Sequence, residues 1–153
     1  MSEFRNFLSN DSQGITELET QLQATAITLD ADVTDAPVGF APYAGKITKV
    51  WLAVGQIGQD GTNAASLAAT VKKNGTAICT TDPALAKAAG TGGGNTLSTG
   101  AGITQAVIKS DGTEVVAAGD QFTVTWDVTR TASTITPEFA NGIVMVAIKP
   151  YAV

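Results

Sequence analysis

The chain has no histidine and a single cysteine, Cys79, among its 153 residues. Without histidine it lacks the commonest general base, the usual metal-binding imidazole and the ordinary serine or cysteine triad. One cysteine cannot form an intramolecular disulfide. With no histidine to activate it, Cys79 is interpreted as a small, half-buried hydrophobic residue. The sequence therefore predicts no enzyme, no metal site and no cofactor.

Charge is also scarce: charged residues make up 15% of the chain, below the usual quarter or so. Residues 1–38 hold seven acidic side chains against Arg5, whereas residues 39–153 hold seven acidic and eight basic ones. An acidic segment on a near-neutral body argues against nucleic acid as a partner. No apolar run is long enough to span a membrane, and residues 1–10 lack the apolar core of a signal peptide. We expect no membrane partner and synthesis in the cytoplasm.

What the chain does have is a two-residue hydrophobic period. Asn74-Gly75 and Asp111-Gly112 predict hairpin turns between alternating segments. The predicted strands cover residues 22–30, 46–57, 67–73, 76–80, 106–110, 113–117, 121–129 and 142–149. About eight short strands without βαβ alternation are typical of a β-sandwich. We predict one all-β, jelly-roll-like domain over residues 22–153, preceded by an N-terminal arm over residues 1–21.

One short helix is predicted. Asp82 can cap it, Pro83 suits its first position, residues 84–89 propagate it and Gly90 ends it. The glycine-rich segment that follows lacks the Lys-Ser/Thr of a phosphate-binding loop, so we interpret it as a flexible loop.

Acidic side chains give two weak alternatives. A pair of carboxylates could hydrolyse glycosides, although turns account for most of the candidates. The candidates are Asp60, Asp82, Asp111, Glu114, Asp120, Asp127 and Glu138. Oxygen atoms of Asp30, Asp32 and Asp35 could bind calcium, but the segment lacks the glycine and final glutamate of an EF-hand loop. Turn and loop positions explain these residues better.

Aromatic side chains leave another alternative open. Trp51, Trp126, Tyr43 and Tyr151 could form a platform on which sugars stack. Both tryptophans lie in predicted strands among apolar residues, so core packing is the favoured interpretation.

Three segments resemble motifs of small tailed-phage head proteins. Residues 44–50 (AGKITKV) carry G-x-I-x-x-V, residues 69–77 (ATVKKNGTA) carry V-K-x-N-G-T, and residues 115–124 (VVAAGDQFTV) carry A-G-D-x-F-x-V. The hydrophobic last strand also resembles the closing strand of that group. The motifs keep their order over about residues 40–149, whereas the segment 82–102 and the acidic arm depart from the pattern.

The resemblance implies a capsid decoration protein, which sits on the outside of a phage shell and stabilises it. Its partners would be the major capsid protein and two further copies of itself, in a homotrimer on the virion exterior, after synthesis in the bacterial cytoplasm. We expect the arm to bind the capsid through Phe4, Arg5, Phe7, Leu8, Glu17 and Glu19. The alternative is a receptor- or glycan-binding knob of a phage fibre or spike, which would expose an aromatic groove.

Overall fold

The computed structural model describes residues 19–57, 64–88, 101–130 and 139–151. These residues form antiparallel β-strands, and no helix occurs among them. The strands are β1 (Thr20–Leu29), β2 (Val33–Phe40), β3 (Gly45–Ile57), β4 (Ala65–Lys73), β5 (Thr76–Ala77), β6 (Cys79–Thr81), β7 (Ala84–Lys87), β8 (Ala101–Thr104), β9 (Val107–Ile108), β10 (Val115–Val116), β11 (Gln121–Arg130) and β12 (Phe139–Pro150). The prediction of an all-β fold is confirmed.

The strands form two large sheets and one small one. Sheet A has the order β1-β12-β3-β10, and sheet B has the order β2-β11-β4-β7-β8, with β5 also paired to β4. Sheet C consists of β6 and β9. β1 and β2 are consecutive in the chain but lie in different sheets, so the chain crosses from one layer to the other between them.

Sheets A and B face each other across one hydrophobic core. Trp126 on β11 is fully buried (0% exposed), and its ring faces Gly142 on β12. A Cβ on Gly142 would lie 2.8 Å from Leu29 Cδ1 and 3.3 Å from Trp126 Cζ3. Only glycine therefore lets the sheets approach this closely. Core packing, the favoured interpretation of Trp126, is confirmed.

Several elements lie where the two-residue period predicts them. β1, β3, β11 and β12 match predicted strands to within about three residues at either end. Asn74 (φ 49°) and Gly75 (φ 83°) form the predicted two-residue turn, which pairs Lys73 with Thr76. The left-handed backbone that a type I′ turn needs is the reason for this residue pair.

The predicted helix is wrong, because β7 occupies residues 84–87. β7 pairs with β4 on one side and with β8 on the other, and it buries Leu85 and Lys87 on one face. Asp82 caps no helix, because its Oδ2 accepts a hydrogen bond from Thr70 Oγ1 at 2.5 Å. The alanines favour a helix in isolation, but they also fit a strand between two neighbours, and tertiary pairing outweighs their propensity.

The second predicted hairpin is also wrong. Gly112 has a positive φ (96°) and does form a turn, but the strands on either side do not pair with each other. β9 pairs with β6, whereas β10 pairs with β3. The turn therefore joins two different sheets.

Candidate interaction surface

One end of the sandwich, which we call the motif end, contains part of each of the three segments that resemble phage head proteins. Register defines it: Gly45 lies opposite Pro150 and Val116 in sheet A. In sheet B, Gln121 lies opposite Phe40, and Phe122 is paired with Lys73. The motif end comprises Thr20, residues 40–46, residues 73–76, residues 114–121 and residues 150–151.

The second and third motifs are joined by a pair of hydrogen-bonded turns. The Asn74 side-chain amide donates to Asp120 Oδ1 at 2.8 Å, and Asn74 Oδ1 accepts from the Gln121 N–H at 2.9 Å. The Asn74 N–H donates to the Gln121 carbonyl at 2.8 Å. Asp120 Oδ2 accepts from the Ala117 N–H at 2.8 Å, and this bond is the main cause of the lowered pKa of Asp120.

The first motif joins the third through β10. Val115 pairs with Lys46 and Val116 with Gly45, while Lys73 Nζ donates to the Val115 carbonyl. A Cβ on Gly45 would lie 2.2 Å from the Lys149 carbonyl oxygen. The glycine of the first motif is therefore required where β12 passes closest to β3.

Glu114 stabilises the same end from inside the loop before β10. It is buried, its Oε2 accepts from the Gly112 N–H at 2.8 Å, and Lys46 Nζ lies 3.6 Å from its Oε1. The pKa of Glu114 is lowered mainly by the hydrogen bond from its own backbone N–H, and further by the hydrogen bond from the Gly112 N–H. Its carboxylate thus holds the loop rather than facing a cleft.

Three exposed apolar side chains lie at this end. Phe40 is 64% exposed, Tyr151 is 50% exposed and Val115 is 44% exposed. Phe40 ends β2, Val115 begins β10, and Tyr151 follows the last residue of β12. Exposed apolar side chains that lie at one end of a domain make that end a candidate contact surface. Sequence reasoning missed Phe40; its position just before the Ala41-Pro42 break is the signal that was available.

The chain enters the sandwich at the same end. The Tyr43 hydroxyl accepts from the Thr20 N–H at 3.0 Å and donates to Thr20 Oγ1 at 2.6 Å. Thr48 Oγ1 donates to Glu19 Oε1 at 2.7 Å, so Glu19 bonds within the domain. The remaining predicted capsid-binding residues lie outside the described residues: Phe4, Arg5, Phe7, Leu8 and Glu17.

A separate groove runs along β3. Its volume is about 400 Å³, and residues 48–51 and 105–108 line it. Trp51 is half-buried there, unlike Trp126, and Lys49 Nζ lies 5.5 Å from the Trp51 ring centroid. The two tryptophans of the predicted aromatic platform are thus separated, one in the core and one in this groove.

The acidic side chains that could bind calcium do not converge. Asp35 forms an ion pair with Lys72 at 2.8 Å, Asp32 Oδ1 accepts from the Val128 N–H, and Asp30 faces Arg130. The hydrogen bond from Lys72 is the main cause of the lowered pKa of Asp35. Among the residues that the structure describes, no cluster of three or more acidic or cysteine side chains could hold a metal ion.

Of the carboxylates considered for glycoside hydrolysis, Asp60 and Glu138 lie outside the described residues. Asp111 bonds to Thr113 within its own turn, and this lowers its pKa. Asp127 is exposed on β11. Asp82 binds Thr70, while its second oxygen, Oδ1, is buried and has no hydrogen-bond partner in the described part of the chain.

Cys79 is buried in β6 (6% exposed), consistent with its interpretation as a small hydrophobic residue. Burial raises the pKa of its thiol to about 11, and the nearby Asp82 carboxylate is the second cause of this increase. The thiolate is therefore nearly absent at neutral pH.

The described residues thus form an antiparallel β-sandwich with three exposed apolar side chains at one end and a groove beside Trp51 on one side. Comparison with family models, with curated proteins and with solved structures finds no match. In the described parts of the chain, no helix is long and apolar enough to cross a membrane.

Proposed function

We propose that the chain is a capsid decoration protein, a non-enzymatic structural protein that binds the outside of a tailed-phage shell through the motif end. The observation that carries the proposal is the convergence there of the three resembling motifs, the exposed Phe40 and the start of β1.

The surface chemistry supports a contact with a protein shell. Phe40, Val115 and Tyr151 offer exposed apolar area at the motif end, to which Lys46, Lys73 and Asp120 also belong. Apolar and charged side chains occur together in protein interfaces. β1 begins at the same end with Thr20, so we expect Phe4, Phe7 and Leu8 to contact the shell beside this surface.

The number of short strands supports a jelly-roll-like sandwich. The other finer parts of the proposal follow from the resemblance: copies associate as trimers at local three-fold positions, the major capsid protein is the partner, and the virion exterior is the final location. Many identical weak sites on one shell strengthen it collectively.

The test is co-sedimentation with shells assembled from the major capsid protein of the phage that the proposal implies. The wild-type protein should pellet in a fixed ratio per shell. At protein concentrations that do not saturate the shells, Phe40→Ser should lower the amount of bound protein by about tenfold or more. Apolar anchor residues contribute most of the binding free energy of an interface. Val33→Ser is the matched control, since Val33 is also exposed (39%) but lies at the opposite end of β2.

Two results would contradict the proposal: no pelleting of the wild-type protein, or normal pelleting of Phe40→Ser. The unfolding midpoint of each variant shows that the loss does not come from unfolding.

The groove along β3 favours a second candidate function, the glycan-binding knob. Half-buried Trp51 offers a ring, and Lys49 and Gln105 offer hydrogen-bond donors beside it. Trp126→Phe leaves Trp51 as the single fluorescent tryptophan. Titration with purified surface polysaccharide of the host bacterium should then change its emission, and an unchanged emission would reject this candidate.

A further inference from the structure

β1 forms one edge of sheet A and pairs there with β12 alone among the described residues. The pairing runs from Thr20 to Leu29 without a register shift. A regular ten-residue edge strand presents a row of backbone N–H and C=O groups that can pair with another strand. Soluble proteins usually blunt such an edge, which means that prolines, charged side chains or bulges prevent this pairing.

The corresponding edge of sheet B is blunted. β2 contains Pro37, which cannot donate to a ladder. Asp35 has a left-handed backbone (φ 51°), and the pairing with β11 shifts register twice. β2 therefore carries several features that prevent pairing with another strand, whereas β1 carries none of these three features.

β1 is also the one uncharged strand among the long ones. Each other described strand of eight or more residues carries at least one Asp, Lys or Arg, whereas β1 reads TQLQATAITL. Its outward side chains Gln21, Gln23 and Thr25 are exposed. In an antiparallel contact related by a two-fold axis, residue i of one copy faces residue j of the other and j faces i, so charges near the middle of the strand would lie close to like charges. An uncharged strand with amide and hydroxyl side chains is suited to pair with itself.

We propose that β1 is a self-association edge, at which two copies of the chain pair antiparallel, β1 against β1, and extend sheet A across a two-fold axis. This inference does not rest on the proposed function. The contact joins two copies and is distinct from the three-fold association proposed on a shell.

Sedimentation velocity on the full chain tests the proposal. The wild-type protein should have the mass of two chains and dissociate on dilution. Gln23→Lys with Thr25→Lys should be a folded monomer, because lysines on the two copies would repel. Thr34→Lys on β2 is the matched control and should remain a dimer, since Thr34 is also exposed but lies on the blunted edge.

Opposite charges should restore pairing. Gln23→Glu with Thr25→Glu should also be monomeric, and mixing it with the double lysine variant should give a mixed dimer. A second measurement does not depend on these variants folding. Single cysteines at Gln21, Gln23 and Thr25 should include at least one that oxidises to a covalent dimer, whereas Thr34→Cys should not; buried Cys79 gives little background.

A wild-type monomer at the highest soluble concentration would overturn the proposal. A dimer or trimer that the double lysine variant leaves intact, with no cysteine of β1 crosslinked, would also overturn it.

Discussion

Asn74 and Asp120 join two turns that lie 46 residues apart in the chain, through a hydrogen bond of 2.8 Å between their side chains. Asn74 also holds a left-handed backbone (φ 49°) and accepts from the Gln121 N–H. One residue thus shapes the hairpin turn and fixes it to the turn before β11.

Asn74→Ala should therefore destabilise the fold by about 1–2 kcal/mol, because alanine loses the hydrogen bonds and resists the left-handed region. Asn74→Gly keeps the backbone and loses only the side-chain bonds, so it should cost less. Urea unfolding of both variants measures the difference. Equal stability of Asn74→Ala and the wild-type protein would contradict the role given to this residue.

Stability should fall in acid. Asp35, Asp120 and Glu114 have lowered pKa values in the folded chain. Their contribution is present above the ordinary carboxyl pKa, 3.8 for Asp and 4.5 for Glu, and is lost as the pH falls through the lower folded values. With no histidine in the chain, stability should be nearly flat between about pH 6 and pH 8.

Urea unfolding as a function of pH checks this expectation. Asp120→Asn should reduce the acid loss, because it removes one of the carboxylates whose pKa is lowered in the folded chain. A steep change in stability near neutral pH would contradict the attribution of the pH dependence to these carboxylates.

The two tryptophans should differ in their effect on stability. Trp126→Ala should cost about 3–5 kcal/mol, because it leaves a cavity between the sheets. Trp51→Ala should cost less than about 2 kcal/mol, since the side chain is only half-buried beside the groove. Equal losses in denaturant unfolding would mean that Trp51 also belongs to the core.

The period-two pattern was sufficient for β3 and β11 because both strands lie inside a sheet, with a neighbour on each side. It failed where local sequence and tertiary position disagree. Residues 84–87 have helix-forming alanines but fill the space between β4 and β8. β2 was missed because Asp35, Pro37 and Gly39, which usually interrupt strands, here blunt an edge strand.

The candidate surface was harder to predict than the fold. The motifs were visible in the sequence, but their meeting at one end depends on register between strands far apart in the chain, such as Val115 with Lys46. The sequence analysis did not single out Phe40, because exposure is not a property of sequence alone. Both features needed the three-dimensional pairing.

The glycine that opens the first motif should not tolerate a side chain. Gly45→Ala would place a Cβ 2.2 Å from a backbone oxygen that cannot move without breaking β12 from β3. We expect a loss of about 3 kcal/mol or more in unfolding free energy. Gly75→Ala, where a Cβ would meet nothing within 4 Å but φ is positive, should cost only about 1–2 kcal/mol; the reverse order would contradict the register of these strands.

Cys79 should be unreactive in the folded protein. Because it is 6% exposed and burial raises its pKa to about 11, alkylation by iodoacetamide near pH 8 should be far slower than in denaturant. The ratio of the two rates, followed by mass spectrometry, measures this protection. Similar rates would mean that β6 opens readily or that the thiol is accessible.

The orientation of the chain on a shell tests the central claim most directly. An electron cryomicroscopy map of shells saturated with the protein should place Phe40, Val115 and Tyr151 against the major capsid protein, with the opposite end of the sandwich in solvent. A map with the β3 groove or the opposite end on the shell, or shells that carry no added density, would contradict the account.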